Sequence, residues 1–199
     1  MDTHLQHMIA KARILGLAFD TTLPIHLRSI IQSADNEGRP LSETELQTIC
    51  QFSSIDSEPL FSIQEQASTL VTAVKQKMLL EDPQLVKPGG ALYPESRAEA
   101  CWRDCWHFLR IAVYAAAADR TVFTHPPGVV GMAELYRELA VPIDSMARAL
   151  SYLRETAVAL YSSIGGGKDV WRLDASMRHL EVMMNQFSNK TAMAEGPAP

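Results

Sequence analysis

The apolar residues of this chain recur at steps of three and four, and almost nothing alternates with the period of two that a strand needs. Ile63, Ala67, Leu70, Val74 and Met78 form one such stripe. Met146, Leu150, Leu153, Ala157 and Tyr161 form a second, and Met177, Leu180, Met184 and Phe187 a third. Stripes of this kind face a core far more often than they line a cofactor. The punctuation agrees. Ser42 followed by Glu45 reads as a capping box, and Pro94 and Pro126–Pro127 can each open a helix. Gly165–Gly166–Gly167 closes another, after which Asp169 or Asp174 can cap the last. The pattern predicts an all-α chain of six to eight helices joined by short connections, globin-like or orthogonal rather than a simple four-helix bundle.

With 199 residues, 47% of them hydrophobic, one domain can bury a real core. A net charge of −5 with no basic stripe argues against nucleic acid as a partner. No apolar run approaches the ~20 residues of a spanning helix, and the opening MDTHLQHMIAKARILGLAFD lacks the layout of a secretory signal. Three cysteines, Cys50, Cys101 and Cys105, make no disulfide framework and fit a reducing cytoplasm. There is no Gly-rich phosphate loop, no zinc-type Cys/His spacing and no convincing nucleophile–His–carboxylate set, so an enzyme is not expected. The tail NKTAMAEGPAP is small and polar, and disorder is expected over 191–199.

The densest group of chemically capable residues is Arg97 to Cys105, on one helical segment. Asp104 follows Cys101 by three residues, about 300° around a helix, and Arg97 precedes it by four, so all three share a face. Arg103 lies about 200° from Cys101 and must curl to reach that face. Cys105, four residues on, is nearly in line with Cys101, either as a second nucleophile or redox partner or as a spare buried thiol. Taken alone, Cys-Trp-Arg-Asp is more often helix packing and solvated charge than a site.

Two stretches set it in a longer frame. Ala34, Asp35, Gly38, Arg39, Leu41, Ser42, Glu45 and Leu46 give the pattern AD-x-x-GR-x-LS-x-x-EL. Pro88–Gly89–Gly90, Tyr93, Arg97, Cys101–Trp102–Arg103–Asp104, Leu109–Arg110 and Tyr114 follow, then Gly131, Glu134, Tyr136, Leu139 and Pro142 at matching spacing. In these positions, and more weakly over 23–165, the chain resembles the phycobiliproteins, the phycocyanin- and allophycocyanin-like light-harvesting globins of cyanobacteria and red algae.

The resemblance implies a globin-like domain over 23–190, preceded here by a helical extension over 1–22. It implies a bilin, an open-chain tetrapyrrole of the phycocyanobilin type, joined by a thioether to Cys101. Asp104 would accept hydrogen bonds from the pyrrole N–H groups and favour the protonated pigment, while Arg103 and Arg97 would hold its propionates. Tyr114 and Cys105 complete the cofactor-binding set. Partners would be a second copy or a related subunit docked on the N-terminal helices, and a bilin lyase for attachment. The location would be the cytoplasm, on the cytoplasmic side of thylakoids. In LPIHLRSIIQSAD two placements stay open, against a partner or against the chain's own core.

The chain also departs from the family pattern. Ala118–Asp119–Arg120 replaces Ala-Gly-Asp, His125 replaces an acidic residue, and Ala91 stands where β-type subunits carry a modified asparagine. Cys105, Trp106 and His107 are unusual beside the anchor. These departures fit a divergent, solitary member such as a bilin-biosynthesis-associated globin. That leaves open a non-antenna carrier of bilin, a haem-binding globin using His107, and a pigment-free docking subunit.

Overall fold

The computed structural model describes residues 3–194, with side chains to Phe187. Nine α-helices make up most of the described residues: α1 (Thr3–Lys11), α2 (Ile25–Glu37), α3 (Glu43–Ser53), α4 (Ser57–Glu65), α5 (Ala67–Glu81), α6 (Glu95–Ala117), α7 (Pro126–Glu138), α8 (Ile143–Ser163) and α9 (Val170–Ala194). Two single 3-10 turns, Leu17–Phe19 and Gly166–Lys168, complete it. The three stripes are buried as expected. The first is divided at Gln66 between α4 and α5, which together with α1 takes the helices beyond the expected six to eight.

Helix α6 is the axis of the fold and packs against α3, α4, α5, α8 and α9. Its second half is buried on every side from Phe108 to Ala117. The run Ala115–Ala118 has side chains small enough to admit neighbours from all directions. Packed this closely, that half can reach a surface cleft only through its first residues, Phe108, Arg110 and Ile111. The partly exposed first half is therefore where most of the chemistry can be done.

The helix ends follow the sequence signals. Pro94 caps α6 and Pro126 begins α7. Ser42 accepts the Glu45 amide N–H while the Glu45 carboxylate accepts the Ser42 N–H at 2.8 Å. Arg39 holds that same carboxylate down at about 2, its hydrogen bond being the largest influence. Because the box joins α3 to this ion pair, Ser42→Ala should cost about 1 kcal/mol, read as a lower urea midpoint with an unchanged slope.

Asp119 takes a left-handed φ of +54° just after α6, where the resemblance carries glycine. Aspartate tolerates that region better than most residues. Its carboxylate also accepts from Arg172 at 2.8 Å, tying the turn to α9.

Of the two placements open for the α2 segment, Leu27, Ile31 and Ala34 are buried in the chain's own core. Over residues 3–22 the extension is helical only at α1 and the first 3-10 turn. Between them Leu15 pairs with Thr124 in an isolated antiparallel bridge. The Gly16 N–H donates to the Phe123 carbonyl at 2.7 Å and the His125 N–H to the Ile14 carbonyl at 2.7 Å. Backbone committed to those partners cannot also close helical turns. At the other end α9 continues through Ala194, and the rest of the expected tail, 195–199, lies outside the described residues. Among the described residues no helix is long and apolar enough to cross a membrane.

Candidate functional site

The exposed face of the first half of α6 forms the floor of a cleft of about 730 Å³. One wall is α7, through Met132, Leu135, Tyr136 and Leu139. The opposite wall is the N-terminal segment, through Ile9 and Ala12 to Leu15, and the end of α2 closes one side at Asp35 to Gly38. Its volume lies within the ~300–1,000 Å³ usual for small-molecule sites.

Four of the six expected site residues, Arg97, Cys101, Arg103 and Asp104, line this cleft. Cys101 forms part of the wall although it is only 2% exposed. Burial, and then the charge of Asp104, push its thiol up to about 11. The Asp104 side chain keeps 27% of its exposure, accepts a hydrogen bond from the Tyr136 hydroxyl at 2.9 Å, and lies 3.6 Å from Arg103. Burial raises its carboxyl above the ordinary range, in spite of Tyr136 and Arg103. Arg103 stands at the mouth with 66% of its side chain exposed, as the 200° offset requires. Arg97 is half-buried in the lining, and it forms no ion pair among the described residues.

Cys105 and Tyr114 stand elsewhere, and neither lines the cleft. Cys105 is fully buried in the core, outside the lining, and burial drives its thiol far above the usual range. Tyr114 is also fully buried. Its hydroxyl accepts from Arg110 Nη1 at 2.9 Å and donates to the Arg39 carbonyl. Arg110 Nη2 in turn donates to Asp35 at 2.8 Å. Tyr114 thus braces the floor of the cleft from behind, through a guanidinium that does line it.

The cleft also holds residues that sequence spacing did not single out as site residues. Asp35, Arg110 and Tyr136 stood only as members of a pattern, without a role. The Arg110 Nε–H is buried with no hydrogen-bond partner among the described residues. His107 lines the cleft, edge-on to Trp106 at 5.0 Å. Burial, and next the charge of Arg110, lower its pKa, so it stays neutral to a lower pH than usual. Among the described residues no group of His, Cys, Asp and Glu has the makings of a metal site.

These features define a class: an all-helical protein whose central helix offers a thiol, a carboxylate and arginine side chains to one largely apolar cleft. A family model described as "Phycobilisome protein" matches residues 29–180. The chain is 31% identical to "Allophycocyanin alpha chain 2" of Microchaete diplosiphon, over 68% of this chain and 86% of that one. It is 32% identical to "Allophycocyanin alpha chain" of Mastigocladus laminosus, over 67% and 85%, and 31% identical to "C-phycocyanin beta chain" of Galdieria sulphuraria, over 69% and 81%. The chain belongs to the phycobilisome protein family, of which it is a divergent member. It aligns with α-type and β-type relatives at closely similar identity.

Proposed function

We propose that this chain binds a bilin of the phycocyanobilin type through a thioether to Cys101 and serves light harvesting or energy transfer in or near the phycobilisome, on the cytoplasmic side of thylakoids. The observation that carries this reading is one cleft of suitable size holding the thiol, a half-buried carboxylate three residues on, an Arg97 without an ion pair and an exposed Arg103 at the mouth. The bilin, when bound, supplies visible absorption. The chain would supply the rest: Cys101 would hold ring A through a thioether, its S–H adding across a double bond so that the proton ends on carbon. Asp104 would hold the pyrrole N–H groups, and Arg97 and Arg103 would hold the propionates. A second copy or a related subunit docks on the N-terminal helices, whose outer side leaves Phe19 and Ile25 exposed.

Asp104→Asn should act in opposite directions on the empty and loaded protein. In the empty cleft the raised pKa means that the folded state loses stability as pH rises above ~3.9, the usual aspartate value, because ionisation is disfavoured by burial. Removing the charge should therefore stabilise the apo chain at pH 7 by about 1 kcal/mol. With pigment bound, the same change removes the counter-charge, and the red absorption band should weaken and shift to the blue. Urea midpoints and absorption spectra of both forms check the pair; unchanged spectra would count against the assigned role.

A thiol at about 11 is almost wholly protonated at neutral pH, and the thiolate is the nucleophile. Unassisted loading should be slow at pH 7 and rise about tenfold per pH unit towards pH 9, which is where a lyase would contribute. Initial rates of covalent loading against pH measure this, and a flat profile would refute it.

Co-expression with a haem oxygenase and a bilin reductase, followed by denaturation and zinc-induced fluorescence on a gel, tests the function. Colour that survives denaturation is expected. Colour that washes away would favour a carrier holding bilin or haem without a bond, a reading that the protonated Cys101 thiol supports. No colour under any condition would leave a docking subunit.

A further inference from the structure

The family match begins at residue 29, yet residues 9–15 build a wall of the cleft. We propose that residues 9–16 form a strap that closes the pigment cleft from within the same chain, with Arg13 presenting its guanidinium to a carboxylate of the bound pigment. The proposal rests on the bilin-binding reading of the cleft.

Three independent features hold the strap in place. The first is close approach to α7: a Cβ on Gly131 would meet the Lys11 carbonyl oxygen at 2.5 Å, and one on Gly128 the Arg13 carbonyl oxygen at 1.8 Å. Only glycine lets the strap lie this near the helix. The second is the pair of backbone hydrogen bonds already described, from Gly16 and His125. The third is side-chain anchoring at positions where the chain departs from the family pattern. His125 stacks on Phe19 at 4.6 Å. Arg120 binds Asp20 at 2.7 Å and the Thr22 hydroxyl at 2.8 Å. Burial acts to raise the Asp20 carboxyl, but the hydrogen bonds from Thr22 and Arg120 outweigh it and hold the group at about 2.

Two further observations point to a ligand on its inner side. Ile9 lines the cleft while 46% exposed, an apolar surface that a pigment would cover. Arg13 donates to the Asn36 amide oxygen and has no carboxylate partner among the described residues. Behind the strap lies a second hollow of about 660 Å³ that shares Arg13, Leu15, Asp35 and Asn36 with the first. The strap is therefore a thin partition between two cavities, and lifting it would merge them and open the pigment to water. A pigment held between α6, α7 and this strap has no route to twist freely, which keeps it emissive.

The test uses the full chain, phycocyanobilin as the probe, and trypsin cleavage after Lys11 as the reporter of strap opening. Loading should slow that cleavage about tenfold, the gain expected from one charge-assisted hydrogen bond. In the fraction of Arg13→Gln that carries pigment, the protection should be lost. Gly128→Ala with Gly131→Ala should speed cleavage of the empty protein about tenfold; alanine favours α7 itself, so the helix is not weakened by the change. Covalent loading of the wild type with equal cleavage in the loaded and empty forms, or full protection in Arg13→Gln, would overturn the strap and leave the site reading standing. An unchanged apo cleavage rate in the double-alanine variant would also overturn it. Failure of the wild type to take up phycocyanobilin would overturn the site reading, and the strap with it.

Discussion

Cys101→Ala is expected to abolish covalently held colour, while Cys105→Ala leaves it essentially intact. The two thiols are four residues apart and nearly in line along α6, so chemistry alone does not separate them. What separates them is cover. Cys101 forms part of the cleft wall, whereas Cys105 points into the packed core and is absent from the lining. An addition reaction needs the sulfur to approach the pigment's double bond, and only Cys101 can do so without rearranging the core. Each change removes a single buried sulfur, so the cost in stability should stay at about 1 kcal/mol for each. Loss of colour in the Cys101 variant then reports on the site and not on folding. Zinc-induced fluorescence after denaturation reads the first effect, and urea midpoints of the two apo variants read the second.

Arg110→Ala should be the most damaging single change to the fold. The guanidinium is 7% exposed, is paired with Asp35 at 2.8 Å, and donates to Tyr114. Truncation strands a part-buried carboxylate and takes one of its two partners from the buried Tyr114 hydroxyl, and breaking such a pair from one side costs about 3–5 kcal/mol. The loss also releases the link between α2 and α6, so the floor of the cleft should loosen with it. The double variant Asp35→Leu with Arg110→Met removes both charges together and should recover much of the loss. Chemical unfolding of the two single and one double variants gives the coupling energy directly. Additive effects would show that the pair is not a unit.

The same contrast marks what sequence pattern could and could not convey. Period and punctuation carry the helices well: Ser42, Pro94 and Pro126 each stand at the helix start expected of them, and all three apolar stripes are buried. Helical spacing also put Arg97, Cys101 and Asp104 on one face and left Arg103 at the rim. It could not tell Cys105 from Cys101, because an angle about the axis says nothing of which neighbour covers that side. Membership in a pattern likewise did not distinguish Tyr114, which braces, from Tyr136, which reaches the cleft. The Asp35–Arg110 pair joins residues 75 apart in the chain, a separation that local rules do not span. The strap was least legible of all. Its hold on α7 depends on two glycines that look like ordinary weak points in a helix until the backbone opposite them is in view.

The most direct measurement is the mass of the pigment-bearing peptide. Trypsin cutting after Arg97, Arg103 and Arg110 places Cys101 in the peptide from Ala98 to Arg103 and Cys105 in the one from Asp104 to Arg110. Protein loaded with phycocyanobilin should show one pigment mass on the first peptide and none on the second. Pigment found on the second peptide, or on neither while colour persists in the native protein, would contradict the account.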